Sequence, residues 1–393
     1  MNHTPPPPLD SIKIPFLCAL LFILAVKMGV ALWWKPRRIE AHFLRQGIRG
    51  PPYRFFIGNF KELDSMMLAA TSRPMPNFSH NILPRVLSFY HHWKKIYGST
   101  FLIWFGPIVR VAVSDPDMIR DILTNNSEFY EKNEAHPLIK KLEGDGLLTL
   151  KDQKWALHRK IISPVFNMEN LKLLIPVVEE SVVDMVEKWS AMAGGGASDE
   201  TTSNLLTWTT VLLAMHPQWQ IQARDEVLSL CGPRALPSRD DLSKFKILSM
   251  ILNESLRLYP PTVATIRRAK TVVELRGRMI PRGTEFLIPI LAVHHDQNIW
   301  GNDASEFNPG RFSEGVGQAG NHPAGFIPFG HGLRACIGKN LALLQAKLAI
   351  AIIVQRFSFR LAPSYQHAPT VLMLLYPQYG APVVFRKIET PRD

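Results

Sequence analysis

The sequence predicts a mainly α-helical protein with minor β sheets. Apolar residues recur at helical spacing over several long segments, whereas short apolar runs bounded by Gly and Pro are confined to a few regions. The chain has 393 residues, 46% of them apolar, which is enough to bury a sizeable core. Its 31 prolines indicate many loops and helix breaks rather than a simple bundle.

The N-terminus predicts a membrane anchor over residues 1–35. Ile14–Trp34 is a run of 21 residues with a single charge, Lys27, which is long enough to cross a bilayer core. The residues after it are strongly basic, so the positive-inside rule places the rest of the chain in the cytoplasm. A cleaved signal peptide is the alternative, but the basic cluster follows the apolar run and no small-residue cleavage site stands out. An uncleaved anchor is therefore expected.

The elements that follow are predicted in order along the chain. Residues 36–52 form a basic, Pro-rich hinge, and residues 53–393 form the main domain. Helices are expected over 87–97, from 115 to about 123, and over 155–162, 167–189, 201–215, 217–230, 244–259 and 337–356. A hairpin is expected from 101–105 and 108–113, strands and turns from 260 to 301, and a terminal hairpin turned at Gly380.

Charge and cysteine content narrow the function classes. The net charge of +12 suits an anionic membrane surface or an acidic protein partner, and the absence of a Lys/Arg-rich run argues against nucleic acid. The three cysteines, Cys18, Cys231 and Cys336, are too few and too scattered for a disulfide framework. Neither a CxxC spacing nor an HExxH motif is present, which argues against zinc.

Cys336 is the residue with the most unusual surroundings, in the stretch FGHGLRACIG. It could be a buried structural thiol, part of a phosphate-binding glycine loop, or a metal ligand. A structural thiol needs no glycines around it, and the phosphate reading lacks a preceding strand and a later acidic residue. The glycines leave room for a flat, bulky partner, and Arg334 adds a cation beside the sulfur. Haem iron requires only one such protein ligand.

Four motifs together resemble the cytochrome P450 family over nearly the whole chain. Phe329 to Gly338 fits the F-x-x-G-x-R-x-C-x-G signature at every fixed position. Glu254-Ser-Leu-Arg257 resembles the E-x-x-R of the family's K helix. FNPGRF at 307–312 is similar to its P-E-R-F segment, and WALHR at 155–159 is similar to the W-x-x-x-R of its C helix.

The resemblance implies a haem b centre with Cys336 as the axial ligand, framed by Phe329 and Gly338. It implies further that the haem propionates are bound by Trp155, Arg159, Arg334 and one of Arg267 or Arg268, with Arg268 preferred. Glu254, Arg257 and Arg311 would form a buried triad that locks the loop before Cys336. Read from spacing alone, Glu254 and Arg257 could equally be a surface ion pair, Trp155 a core residue and Arg159 a surface residue.

Stretches such as KNEAHPL, EGDGLL, MILNESLRLYPP and YQHAPTVLMLLYPQ are similar to plant P450s that hydroxylate brassinosteroids at C-26. The resemblance therefore implies a steroid substrate, O2, and electrons from an NADPH-cytochrome P450 reductase. It also implies location in the endoplasmic reticulum membrane. The expected pocket is lined by part of 134–148 and by Val263, Ala264, Thr265, Leu372, Met373 and Leu374.

The chain departs from the family between about residues 190 and 200. About a dozen residues lie where the family has over a hundred, so helices F, G and H and the front of helix I are expected to be missing. ASDETT then stands for the I-helix motif, with Thr201 as the proton-relay residue and Glu200 as its acid partner. Two readings follow: a shortened haem-thiolate monooxygenase, or a non-catalytic remnant or mis-predicted gene model. A membrane protein that uses Cys336 for redox sensing is a third.

Overall fold

The computed structural model describes residues 9–133, 140–141, 144–191, 201–233 and 235–388; at 9–15, 189–191 and 201–202 it describes the backbone alone. Its α-helices are Leu9–Gly29, Lys35–Arg45, Phe60–Thr71, Leu83–Val86, Ser88–Tyr97, Pro116–Arg120, Asp152–Ile162, Met168–Lys172, Ile175–Ala191, Thr201–Met215, Pro217–Cys231, Arg239–Lys244, Lys246–Leu258, Ile290–His294, Gln297–Trp300 and Lys339–Arg356.

The strands are β1 Thr100–Phe105, β2 Ile108–Val113, β3 Tyr130–Lys132, β4 Thr265–Ala269, β5 Val273–Leu275, β6 Arg278–Ile280, β7 Glu285–Ile288, β8 Phe357–Leu361, β9 Pro369–Val371, β10 Leu375–Pro377 and β11 Val383–Lys387. The main sheet has the order β1-β2-β7-β4-β3, in which β2 and β7 are parallel and the other pairs antiparallel. The mainly helical fold with minor sheets is confirmed, as is the β1–β2 hairpin.

Two apolar clusters form the core. The larger surrounds the helix Lys339–Arg356, whose residues 348–354 are all almost fully buried. A helix that is buried on every side is the expected result of an apolar run without a polar face. The smaller cluster packs on the main sheet, with Trp104 and Phe286 at its centre. The helix Lys339–Arg356 begins three residues after Cys336, so the larger core fixes the position of that cysteine.

Three predicted elements are wrong. The end of 260–301, expected to form strands and turns, holds the two short helices Ile290–His294 and Gln297–Trp300. The helix expected over 167–189 is two helices, Met168–Lys172 and Ile175–Ala191, because Pro176 has no N–H to continue the first one. The terminal hairpin does not turn at Gly380. β9 and β10 pair with each other around a turn at 372–374, and β11 pairs instead with β8. The apolar run at the C-terminus therefore contains strands of two separate two-stranded sheets.

The N-terminal helical stretch from Phe16 to Arg45 is long and apolar enough to cross a membrane, and its most apolar part is not buried in the protein. The basic segment that follows Trp34 lies against the domain. Phe43 and Ile48 are buried in the smaller core cluster. The amide of Leu102 in β1 donates to the carbonyl of Arg49 at 2.9 Å, which ties this segment to the main sheet.

Candidate functional site

The loop that carries Cys336 depends on its glycines. Gly332 has φ +70°, and a Cβ there would lie 2.0 Å from the carbonyl oxygen of Leu123, so a larger residue would force the two segments apart. The Cys336 amide donates to the Phe329 carbonyl at 2.8 Å, which closes the loop. The Cys336 side chain is exposed, and a Cβ on Gly338 would lie 3.9 Å from its sulfur. The thiol is thus free to bind a group outside the loop.

Cations surround a cavity beside this loop, and the cavity is lined by residues of β3, β4, the helix Asp152–Ile162 and the 333–334 turn. The guanidinium of Arg334 stacks 3.8 Å from the Trp155 ring and donates to the Leu150 carbonyl at 3.0 Å. Arg159 donates to the carbonyl of Ala335, next to Cys336, at 2.8 Å. Trp155, Arg159 and Arg334, which the sequence analysis grouped together, therefore meet around one loop.

Arg267, and not Arg268, completes this group. Side chains alternate along a strand, so neighbours in β4 face opposite ways. Arg267 is 7% exposed and lines the cavity. Burial lowers the pKa of Arg267 to about 10, with a further contribution from Arg334. Arg268 lies instead beside Gly283, where a Cβ would be 3.8 Å from its guanidinium. The preference for Arg268 fails because spacing alone could not tell which side of the strand faces the cavity.

Glu254, Arg257 and Arg311 form one buried network. Arg257 donates to both carboxylate oxygens of Glu254, at 2.6 and 2.8 Å, and Arg311 donates to the same carboxylate at 3.2 Å. Glu254 and Arg257 are fully buried. The surface-pair alternative is therefore wrong.

The network reaches the cysteine loop through His294. The Nη1 atom of Arg257 donates to the carbonyl of His294 at 2.8 Å. The Nε2 atom of His294 in turn accepts from the amide of Ile327 at 3.0 Å. Burial lowers the pKa of His294 to about 3, so this nitrogen stays an acceptor at neutral pH. Ile327 lies two residues before Phe329, whose carbonyl holds Cys336.

The residues expected to line a substrate pocket fall into two groups. Val263 is buried, Ala264 and Thr265 are half-buried, and the Thr265 hydroxyl accepts from Arg267 at 2.9 Å. Leu372 and Met373, in the β9–β10 turn, are 84% and 56% exposed, and Leu374 is half-buried. In the described part of the chain nothing covers the first two side chains.

Some predicted residues lie outside this description. Glu200 and the residues 134–139 and 142–143 are outside the described residues. Thr201 opens the helix Thr201–Met215, but its side chain is outside the description too. The structure therefore leaves the proton-relay pair as a prediction.

Tyr130 is a lining residue that the sequence analysis missed. Its hydroxyl is buried in the cavity wall and has no hydrogen-bond partner within the described residues. Burial raises the pKa of Tyr130 to about 12, so the phenol stays a donor at neutral pH. The acids at the rim are already paired, Glu131 with Lys151 at 3.3 Å and Asp152 with Lys270 at 3.7 Å. Cationic side chains, the buried Tyr130 phenol and an exposed thiol fit an anionic, planar ligand such as haem.

Comparison with known proteins gives a consistent result. The family profile "Cytochrome P450" matches residues 73–197 and 192–382. The chain is 51% identical to Cytochrome P450 734A1 of Arabidopsis thaliana, covering 97% of this chain and 98% of the relative. It is 44% identical to Cytochrome P450 734A6 of Oryza sativa subsp. japonica, covering 92% and 94%. Secologanin synthase 2 of Catharanthus roseus is 31% identical, covering 91% and 93%.

The same comparisons bear on the short middle of the chain. The Arabidopsis alignment extends over 511 positions, 118 more than the 393 residues present here. At least that many positions of the relative therefore lie opposite no residue of this chain. The two family matches meet at residues 192–197. Both findings are consistent with a large internal deletion at the predicted place.

Proposed function

This chain belongs to the cytochrome P450 family and is by family a monooxygenase, and we propose that it binds haem b through Cys336 and hydroxylates a steroid. The observation that carries the proposal is the exposed Cys336 thiol, two residues beyond an arginine that lines a cavity together with other basic side chains and Tyr130. Haem, when bound, supplies the activation of dioxygen.

The protein residues would hold and orient that group. Cys336 would bind the haem iron through its thiolate, while Arg159, Arg267 and Arg334 would donate hydrogen bonds to the haem carboxylates. Trp155 keeps the Arg334 guanidinium in place by stacking. Thr201, with Glu200 as its acid partner, would hold and deliver a proton in the active site.

The substrate is proposed from resemblance. The stretches similar to brassinosteroid C-26 hydroxylases lie on both sides of the short middle of the chain, and relatives of the 734A group are 40–51% identical over nearly its whole length. We therefore propose C-26 hydroxylation of a brassinosteroid, with electrons from an NADPH-cytochrome P450 reductase. Residues 1–35 would anchor the enzyme in the endoplasmic reticulum membrane, with 53–393 in the cytoplasm.

A second function is favoured by one observation. Leu372 and Met373 are exposed at the turn expected to contact substrate, and apolar substrates need such residues in a closed pocket. A chain that holds haem but leaves this turn open would be a non-catalytic relative of the hydroxylases.

Steroid turnover separates the two functions. The full chain in detergent, reconstituted with a plant reductase and NADPH, would be incubated with a brassinosteroid, and the products analysed by mass spectrometry. The proposal predicts a product 16 mass units heavier that requires NADPH and disappears in Cys336→Ser but persists in Cys231→Ser. Haem incorporation without any oxygenated product would establish the non-catalytic function instead.

A further inference from the structure

A buried arginine far from the cysteine loop makes hydrogen bonds to the base of the hairpin whose turn is expected to contact substrate. Arg85, in the short helix Leu83–Val86, is 6% exposed. Its guanidinium donates to the carbonyls of Pro369 and Ala70, both at 2.9 Å, and to the side-chain oxygen of Gln378 at 2.6 Å. It also bonds to the carbonyls of Thr71, at 3.4 Å, and Arg73.

These acceptors belong to two separate parts of the chain. Ala70 and Thr71 are at the C-terminal end of the helix Phe60–Thr71, where carbonyls have no partner within the helix. Pro369 and Gln378 are at the base of the β9–β10 hairpin, where Pro369 lies opposite Pro377. Arg85 therefore joins the end of a helix to both strands of the hairpin that carries Leu372 and Met373.

Arg85 forms these hydrogen bonds without an ion pair among the described residues. Among the described residues no carboxylate lies within ion-pair distance of it, and every acceptor is a neutral oxygen. Burial removes water from the Arg85 guanidinium and lowers its pKa. Hydrogen bonds from all three guanidinium nitrogens offset this loss of solvation. A forked, planar donor can reach all of these acceptors at once, whereas the single ammonium group of a lysine can reach only some of them.

The start of β10 is held by separate contacts. The indole nitrogen of Trp208, in the helix Thr201–Met215, donates to the carbonyl of Leu375 at 3.0 Å, and the amide of Leu375 donates to Pro261 at 2.9 Å. The exposed tip at 372–374 extends beyond these contacts. Its position thus depends on two sets of contacts with the rest of the hairpin, one of which is made by Arg85.

We propose that Arg85 is a positioning residue that fixes the β9–β10 turn and thereby selects among substrates. The first half of this proposal concerns the fold alone, and the second half rests on the proposed function. Because the hairpin has only three residues in each strand, it cannot be stable without support from its surroundings.

Hydrogen exchange on the full chain in detergent tests the first half. Arg85→Gln would be compared with Arg224→Gln, a matched control in which a partly buried arginine donates to the carbonyls of Val354 and Phe357, both at 2.8 Å. We expect Arg85→Gln to speed exchange of the amides of residues 370–376 and 378 at least about tenfold, and Arg224→Gln to leave them unchanged. Unchanged exchange in Arg85→Gln, or equal acceleration in both variants, would overturn the proposal.

Substrate discrimination tests the second half. Spectral titration with two brassinosteroids that differ in their side chains should show that Arg85→Gln changes the ratio of the two Kd values by at least about threefold, with Arg85→Lys restoring part of it. An equal loss of affinity for both steroids would refute the role in selection. If the wild-type chain binds neither steroid, the proposed substrate is wrong, whereas the exchange experiment still decides whether Arg85 holds the hairpin.

Discussion

Replacing Glu254 with glutamine should destabilise the protein severely. The carboxylate is fully buried and accepts four hydrogen bonds, two from Arg257, one from Arg311 and one from the amide of Asn308 at 2.9 Å. Glutamine keeps the shape but turns one acceptor into a donor that faces other donors, and it leaves the buried guanidinium of Arg257 uncompensated. Breaking a buried pair in this way costs about 3–5 kcal/mol, against a typical total of about 5–15 kcal/mol.

Urea denaturation monitored by tryptophan fluorescence measures this loss. Asp184→Asn is the control, since Asp184 pairs with Lys188 at 2.7 Å while both side chains are more than 60% exposed. Such a surface pair contributes less than about 1 kcal/mol. A loss below about 1 kcal/mol in the free energy of unfolding of Glu254→Gln, or a loss equal to that of Asp184→Asn, would refute the reasoning.

Three further predictions concern other parts of the molecule. Arg267→Gln should lower the amount of haem retained on purification, and Arg268→Gln should not; an equal loss in both would contradict the cavity assignment. Burial, with a smaller contribution from His216, lowers the pKa of His80 to about 3, so the unfolded chain binds a proton near pH 6.5 that the folded chain does not. Unfolding free energy should therefore fall as pH drops below about 6.5, and less steeply in His80→Gln; identical pH profiles would contradict this. Leu157 and Ile161 are exposed on one face of a helix, so their joint replacement by serine should reduce aggregation in light scattering, and unchanged aggregation would show that this face is not the cause.

The sequence was most informative where residues must meet a fixed chemical requirement. The spacing of Glu254 and Arg257 predicts that they can pair. The glycines near Cys336 predict room for a flat partner beside the sulfur, whereas Gly332 makes room for the Leu123 carbonyl of the protein itself. Such local signals persist even though more than a hundred residues of the relatives are absent.

Choices between neighbours were less predictable. Arg267 and Arg268 are chemically identical, and only the register of β4 against β3 and β7 decides which one lines the cavity. The terminal hairpin was misplaced because Gly380 is a typical turn residue, whereas the real turn at 372–374 is apolar. The hydrogen bond from Arg85 to Gln378 joins residues nearly 300 positions apart, and no local sequence pattern could predict it.

The most direct test of the proposed site is a reduced, carbon-monoxide difference spectrum of the full chain purified in detergent after supply of haem. If Cys336 is the ligand, the Soret band should be strongly shifted to the red, as it is for thiolate-ligated haem. This shifted band should be lost in Cys336→Ser and retained in Cys231→Ser. An unshifted band, or a shifted band that survives in Cys336→Ser, would contradict the assignment of Cys336 as the ligand.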